Sequence, residues 1–225
     1  MNTSRAVLFD FGGTLDAAGV PWKERIVHLY REEGVDVAPQ RFDHVFYRAD
    51  DALVGTIPST LSFRDTVQRL VAGVSEGLGV GDATLTDRVA ARFIESATDA
   101  VGSSSPVLSR LASRYRLGLV SNFYGNLETV CADLGLHGLF AVIVDSARVG
   151  WTKPDPRIFQ RALDDIGAAP NGATFVGDSP SRDMAGARGV GMRHIWLVPA
   201  GARATPCCPG DRVVNSLGEL DELLR

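Results

Sequence analysis

The sequence predicts a doubly wound α/β fold, a parallel sheet whose first strand is followed by an inserted block of helices. Three observations lead there. Short apolar runs recur along the chain, and most close on a polar residue. Helical patterns alternate with the later runs, as a parallel sheet with crossover helices requires. Between the first run and the second, residues 17–100 carry only helical pattern.

The first run is Ala-Val-Leu-Phe, residues 6–9, and it ends at Asp10. The inserted stretch follows, with amphipathic helices expected at about 21–33, 39–54, 60–78 and 84–100. The rhythm then changes. A helix at 104–115 leads into Arg-Leu-Gly-Leu-Val, which closes on Ser121 and Asn122; a helix at 125–135 leads into Ala-Val-Ile-Val, which closes on Asp145 and Ser146. A helix at 156–167 precedes Ala-Thr-Phe-Val-Gly, which ends at Asp178. Ser179 then suits an N-cap and Pro180 the first position of a helix at 180–188. The last run, Arg-His-Ile-Trp-Leu-Val, stops at Pro199. Runs this short and this rich in Val, Ile, Leu and Phe suit strands buried on both faces. The expected division is a core of residues 1–16 and 101–225 with a helical cap at 17–100.

Composition narrows the function classes. A chain of 225 residues, 45% apolar, holds one large domain or a core with one smaller insert. Its 23 basic and 27 acidic residues give a net charge of −4 with no long run of either sign. No basic stripe is available for nucleic acid or an anionic membrane, so neither is expected as a partner. Lysine occurs only as Lys23 and Lys153. Cys131, Cys207 and Cys208 are odd in number and irregular in spacing, which is no disulfide framework. The adjacent Cys207 and Cys208 fall in a loop pattern, and their role is not legible. The first residues lead into a strand-like run with no apolar segment of signal or membrane-span length, and a cytoplasmic, reducing location is expected.

In an open parallel sheet, ligands bind beyond the carboxyl ends of the strands. Asp10, Ser121, Asn122 and Asp178 would gather there. Asp10 and Asp178 on neighbouring strand ends repel each other unless one is protonated or a cation stands between them. Mg²⁺ is a cation that takes one or two carboxylates together with a substrate phosphate. With Thr14, Ser121 and Asn122 as uncharged donors and Lys153 as a point charge, the set describes a phosphoryl-transfer site.

These residues also form four motifs in order. Asp10-Phe11-Gly12-Gly13-Thr14-Leu15 is similar to D-x-D-G-T-L except at its third place, Ser121-Asn122 closes an apolar strand, and Lys153-Pro154-Asp155-Pro156 reads K-P-D-P. Gly177, Asp178, Asp183, Gly186 and Ala187 fit G-D-x-x-x-x-D-x-x-G-A. The chain therefore resembles the haloacid dehalogenase superfamily over its whole length, in the branch whose helical cap follows the first strand. The resemblance implies a Rossmann-like core and, residue by residue, a set of roles. Asp10 would be the nucleophile that forms an aspartyl-phosphate, and Thr14, Ser121 and Asn122 would hold phosphoryl oxygens. Lys153 would balance the charge of nucleophile and phosphate. Asp10, the Gly12 carbonyl, Asp178 and Asp183 would surround Mg²⁺, and the cap would select a small phosphorylated substrate.

Gly12 departs from the family pattern, in which a second aspartate protonates the leaving group and then activates water. Such a group is worth ~10²–10⁴-fold in rate. Three readings stay open: a Mg²⁺-dependent phosphatase with atypical proton handling, a dehalogenase-type hydrolase whose halide leaves without a proton, and a phosphate- or partner-binding module with weak catalysis. Ser121 and Asn122 also suit a helix cap, and Asp178 and Asp183 suit the positive end of the helix at 180–188. Asp16, Trp22, Lys23, His28, His44, Tyr47 and Arg48 are candidates for substrate contact, although packing or a helix surface is the commoner role for each. Substrate identity and oligomeric state are not legible.

Overall fold

The protein is described by a computed structural model covering residues 5–202, 204–206 and 212–224. Strands β1 (Ala6–Phe9), β2 (Arg116–Ser121), β3 (Val142–Asp145), β4 (Ala173–Gly177), β5 (Arg193–Leu197) and β6 (Arg212–Val214) form one sheet in the order β3-β2-β1-β4-β5-β6. Every neighbouring pair is parallel. The strand expected at each apolar run is present. The three-residue β6 at the sheet edge was not predicted, and Cys207 and Cys208 lie outside the described residues.

The alternation of side chains along β1 shows why both faces need cover. Val7 and Phe9 belong to the larger apolar cluster, with the N-terminal helices, while Ala6 and Leu8 belong to the second. Helix α7 (Pro156–Ile166) supplies Ile158, Phe159, Ala162, Leu163 and Ile166 to that second face. Their spacing of three and four residues makes a single stripe, and Asp155 caps the helix by accepting from the Arg157 amide.

Residues 17–100 are helical, with α1 (Trp22–Glu32), α2 (Pro39–Leu53), α3 (Phe63–Leu78) and the start of α4 (Ala83–Ala112). The two helices expected at 84–100 and 104–115 are one. Pro106 lies inside α4, and the boundary expected between residues 100 and 101 falls within it. Serine side chains bond back along the helix around the proline: Ser103 Oγ donates to the Asp99 carbonyl at 3.0 Å and Ser104 Oγ to that of Ala100 at 2.9 Å. The remaining helices are α5 (Leu127–Asp133), α6 (Ser146–Val149), α8 (Ala185–Gly189) and α9 (Leu220–Leu223). The helix expected at 180–188 begins with a π-helical turn, Pro180–Met184, which passes into α8. Ser179 caps that turn by accepting from the Arg182 amide. Among the described residues, no helix is long and apolar enough to cross a membrane.

Candidate active site

Register brings the candidate residues together. Phe9 pairs with Leu119 on one side and Val176 on the other. Asp10 therefore emerges beside Ser121, the last residue of β2, and Asp178, the first residue after β4. Ser121 Oγ donates to Asp10 Oδ1 at 2.7 Å, and Lys153 Nζ stands 2.6 Å from the same oxygen. Lys153 Nζ also lies 2.7 Å from Asp183 Oδ1. Burial alone would lower the Lys153 ammonium, but Asp10 and Asp183 outweigh it and its pKa is raised.

Asn122 acts on Lys153 through the backbone. Its Nδ2 donates to the Lys153 carbonyl at 3.2 Å, and its Oδ1 accepts from the Lys153 amide at 2.7 Å. The loop after β2 and the lysine loop are thereby locked together. Asp145, at the end of β3, is spent on structure: it accepts from the amides of Gly125, Leu127 and Ala147.

Asp10, Asp178 and Asp183 are all buried, and each offers an oxygen within 4.8 Å of the others. Burial raises the Asp178 carboxyl well above its ordinary value, and the charges of Asp10 and Asp183 push it further. Asp183 is raised too, chiefly by burial and against the pull of Lys153. Asp178 Oδ1 accepts from Thr14 Oγ1 at 3.2 Å, whereas Asp178 Oδ2 is buried with no hydrogen-bond partner. Three carboxylates against one ammonium, with an orphaned oxygen among them, fit a hard divalent cation.

The Asp178 carboxylate reaches this position because residue 13 has no side chain. A Cβ on Gly13 would stand 2.6 Å from Asp178 Oδ2, and Gly13 adopts φ +89°, a conformation glycine enters freely. Gly12 has no such backbone demand; its constraint is Trp22. A Cβ there would lie 3.2 Å from Trp22 Nε1. The indole is fixed by donating to Asp16 Oδ2 at 2.7 Å and by edge contacts with Phe63, Phe93 and Phe123. Reduced chain entropy would favour Gly12→Ala by ~0.4–1 kcal/mol. Overpacking against a fixed ring costs ~1–3 kcal/mol, so the net effect is a loss of stability, measurable by urea unfolding.

Asp16 is a hub rather than a wall residue. It is fully buried, and it accepts from the Gly13 amide at 2.7 Å, from Trp22 and from Arg25 Nη1 at 2.9 Å. Arg25 in turn lies over the Phe93 ring and donates to Ser96, joining α1 to α4. Asp16→Ala would strand a guanidinium, an indole N–H and an amide. Removing one partner of a buried ion pair costs ~3–5 kcal/mol, and chemical denaturation of the variant should show a loss of that size.

A cavity of about 440 Å³ opens beside Asp10. Asp10, Gly12, Ser121, Asn122 and Lys153 form its floor, and Trp22, Lys23, Tyr47 and Asp50 line it from α1 and α2. Thr14, Asp178 and Asp183 are buried and not part of this wall. Lys23 is held by Asp43 at 2.8 Å, with Tyr47 beneath its ammonium. His28, His44 and Arg48 are exposed and lie off the wall. Ser181, Arg182, Phe123, Tyr124 and Asp50 line it without having been singled out from the sequence, and Ser179, expected only as an N-cap, lines it too. Asp50 carried a detectable signal. It follows Phe46 by four residues, which puts an acid on the apolar side of α2.

Residues 4–191 match the family model of haloacid dehalogenase-like hydrolases. The chain belongs to that family. Haloacid dehalogenase-like hydrolase domain-containing protein 3 of Homo sapiens is 29% identical over 231 residues, spanning 96% of this chain and 92% of that protein. A phosphoserine phosphatase of Thermus thermophilus is 43% identical over 84 residues, 36% of this chain and 33% of that protein. Among solved structures, a 2-haloacid dehalogenase from Pseudomonas syringae superposes with a TM-score of 0.57 at 25% identity, covering 98% of both chains. The protein is thus a hydrolase of this family, built on the six-stranded parallel sheet described above.

Proposed function

We propose that this hydrolase is a Mg²⁺-dependent phosphatase that acts on a small phosphorylated metabolite through an aspartyl-phosphate at Asp10. The carrying observation is the orphaned Asp178 Oδ2 inside a buried cluster of three carboxylates held against Lys153. The local likeness to a phosphoserine phosphatase supports the same reading.

With Oδ1 of Asp10 held by Ser121 and Lys153, Oδ2 is the atom left to attack phosphorus. Ser121 and Asn122 line the cavity beside Asp10 and would offer donors to the transferring phosphoryl oxygens, and Lys153 would offset negative charge shared between nucleophile and phosphate. Thr14 steadies Asp178 through its hydroxyl. Asp10, Asp178, Asp183 and the Gly12 carbonyl are the groups that would hold Mg²⁺, which when bound supplies Lewis-acid polarisation of the phosphoryl group. Residues 17–100 act as the cap, with Trp22, Lys23 and Tyr47 facing the non-phosphoryl part of the substrate.

A dehalogenase-type reaction is the second reading, favoured by Gly12, since a departing halide needs no proton. A panel of phosphate esters, acyl phosphates and 2-haloacids, each with and without Mg²⁺, separates them. Phosphate released only with Mg²⁺ supports the phosphatase. Halide released without metal replaces it with the dehalogenase, and silence throughout leaves a binding role.

A further inference from the structure

The missing carboxylate at position 12 leaves a phosphatase without an acid for the leaving group or a base for water. The cavity wall contains three carboxyl residues among the described ones: Asp10, Glu24 and Asp50. Asp10 is the nucleophile in the reading above. Glu24 has a half-exposed side chain and faces Lys23 at 3.5 Å. Asp50 differs from both. Tyr124 Oη donates to its Oδ1 at 2.5 Å, and its Oδ2 has no hydrogen-bond partner among the described residues.

Asp50 is also anchored to the core loop next to the reacting centre. Tyr124 is buried and follows Ser121 by three residues and Asn122 by two, on the loop that leaves β2. Its hydroxyl holds Asp50, and its carbonyl accepts from the Gly55 amide at 3.2 Å, just beyond α2. Two hydrogen bonds therefore tie the end of α2 to the loop that carries the candidate phosphoryl donors. A cap carboxylate with a fixed position relative to the chemistry is the result.

We propose that Asp50 is the general acid and base of this hydrolase, supplied by α2 in place of the side chain that Gly12 lacks. The proposal rests on the phosphatase reading. In the first half-reaction Asp10 attacks phosphorus, the bond from phosphorus to the leaving oxygen breaks, and Asp50 gives its proton to that oxygen. An alcohol and an Asp50 carboxylate result. In the second half-reaction Asp50 takes a proton from water as the water oxygen attacks phosphorus. The Asp10–phosphorus bond breaks, inorganic phosphate leaves, and Asp50 is protonated again.

The surroundings of Asp50 suit both halves. Burial raises its carboxyl above the ordinary value, Tyr124 pulls it down through the hydrogen bond, Asp51 raises it, and Arg182 lowers it across the cavity. The net shift is upward, the direction that favours a proton-donating carboxyl. Burial and Asp50 itself push the Tyr124 hydroxyl well above its usual range, so Tyr124 stays a donor throughout.

The test uses the full chain with Mg²⁺ and two substrate series, alkyl and aryl phosphates. Asp50→Asn keeps the size of the side chain and removes its proton. It is expected to lower kcat on alkyl phosphates by ~10²–10⁴-fold and to abolish the fall in rate at high pH that an acid imposes. With aryl phosphates, whose leaving groups need no proton, it should give a burst of phenol equal to the enzyme present, then slow turnover. Tyr124→Phe provides a second arm. It removes a hydrogen bond that favours the ionised carboxyl, so the high-pH limb should move upward. An Asp50→Asn enzyme with unchanged kcat on alkyl phosphates, or with equal losses on both series and the limb intact, overturns the proposal while the phosphatase reading stands. A parent enzyme that releases no phosphate from any ester overturns both.

Discussion

Asp10→Asn is expected to remove phosphate release almost entirely, by on the order of 10⁴–10⁶ in kcat, the scale seen when a covalent nucleophile is deleted. An amide keeps the shape and can still accept from Ser121, so the fold should survive. Its nitrogen replaces an oxygen that attacks phosphorus or faces Lys153. The paired lysine sharpens the expectation: with Asp10 neutral, Lys153 retains only Asp183 as an ion-pair partner among the described residues. Steady-state phosphate release, with a melting curve to confirm folding, checks the result. A variant that keeps a tenth of the parent rate would place the reaction elsewhere.

Magnesium removal has the next largest expected effect, and it acts on stability as well as rate. Asp178 and Asp183 both have raised carboxyl pKa values, with burial the leading cause. The folded chain therefore binds protons at these carboxyls more readily than the unfolded chain does, where the ordinary carboxyl value is 3.8. Without metal, their contribution is fully present below that value and is lost as pH rises through the folded-state values. A divalent cation takes over the protons' role. At a hundredfold excess over its dissociation constant it should add about 2.7 kcal/mol, or roughly 5–10 °C in Tm for a chain this long. The gain should be larger at pH 8 than at pH 5, and Asp178→Asn should remove most of it. Equal Tm values with and without Mg²⁺ at pH 8 would contradict the assignment.

Much of this site was legible because a parallel sheet turns sequence order into spatial order. Asp10, Ser121 and Asp178 each close an apolar run, and parallel pairing aligns those closures at one edge. Lys153 stood out as one of only two lysines in the chain. What was not legible depends on long-range packing. The helices expected at 84–100 and 104–115 leave a gap at residues 101–103, within what is a single α4. In the fold, Ser104 also donates to the Leu15 carbonyl at 3.1 Å, and Val101 and Leu108 are buried on either side. Tertiary contacts outweigh a local preference for a turn there. Asp16 and Trp22 were candidates for substrate contact because both lie in or just before the expected cap. The indole does reach the cavity wall, yet its bond to Asp16 and its crowding of Gly12 appear only once α1 folds back over the glycine turn. Asp50 could be placed on the apolar side of its helix from spacing alone, but its partner Tyr124 lies 74 residues away.

The central claim is that Asp10 carries the phosphoryl group, and chemical trapping tests it most directly. The protein is mixed with acetyl phosphate and Mg²⁺, quenched in acid, and treated with borohydride, which reduces an aspartyl-phosphate to homoserine. Peptide mapping then reads the modified position. Homoserine at residue 10, dependent on Mg²⁺ and absent from Asp10→Asn, is the predicted result. Turnover of acetyl phosphate with residue 10 unmodified throughout, or with the label on another carboxylate, would contradict it.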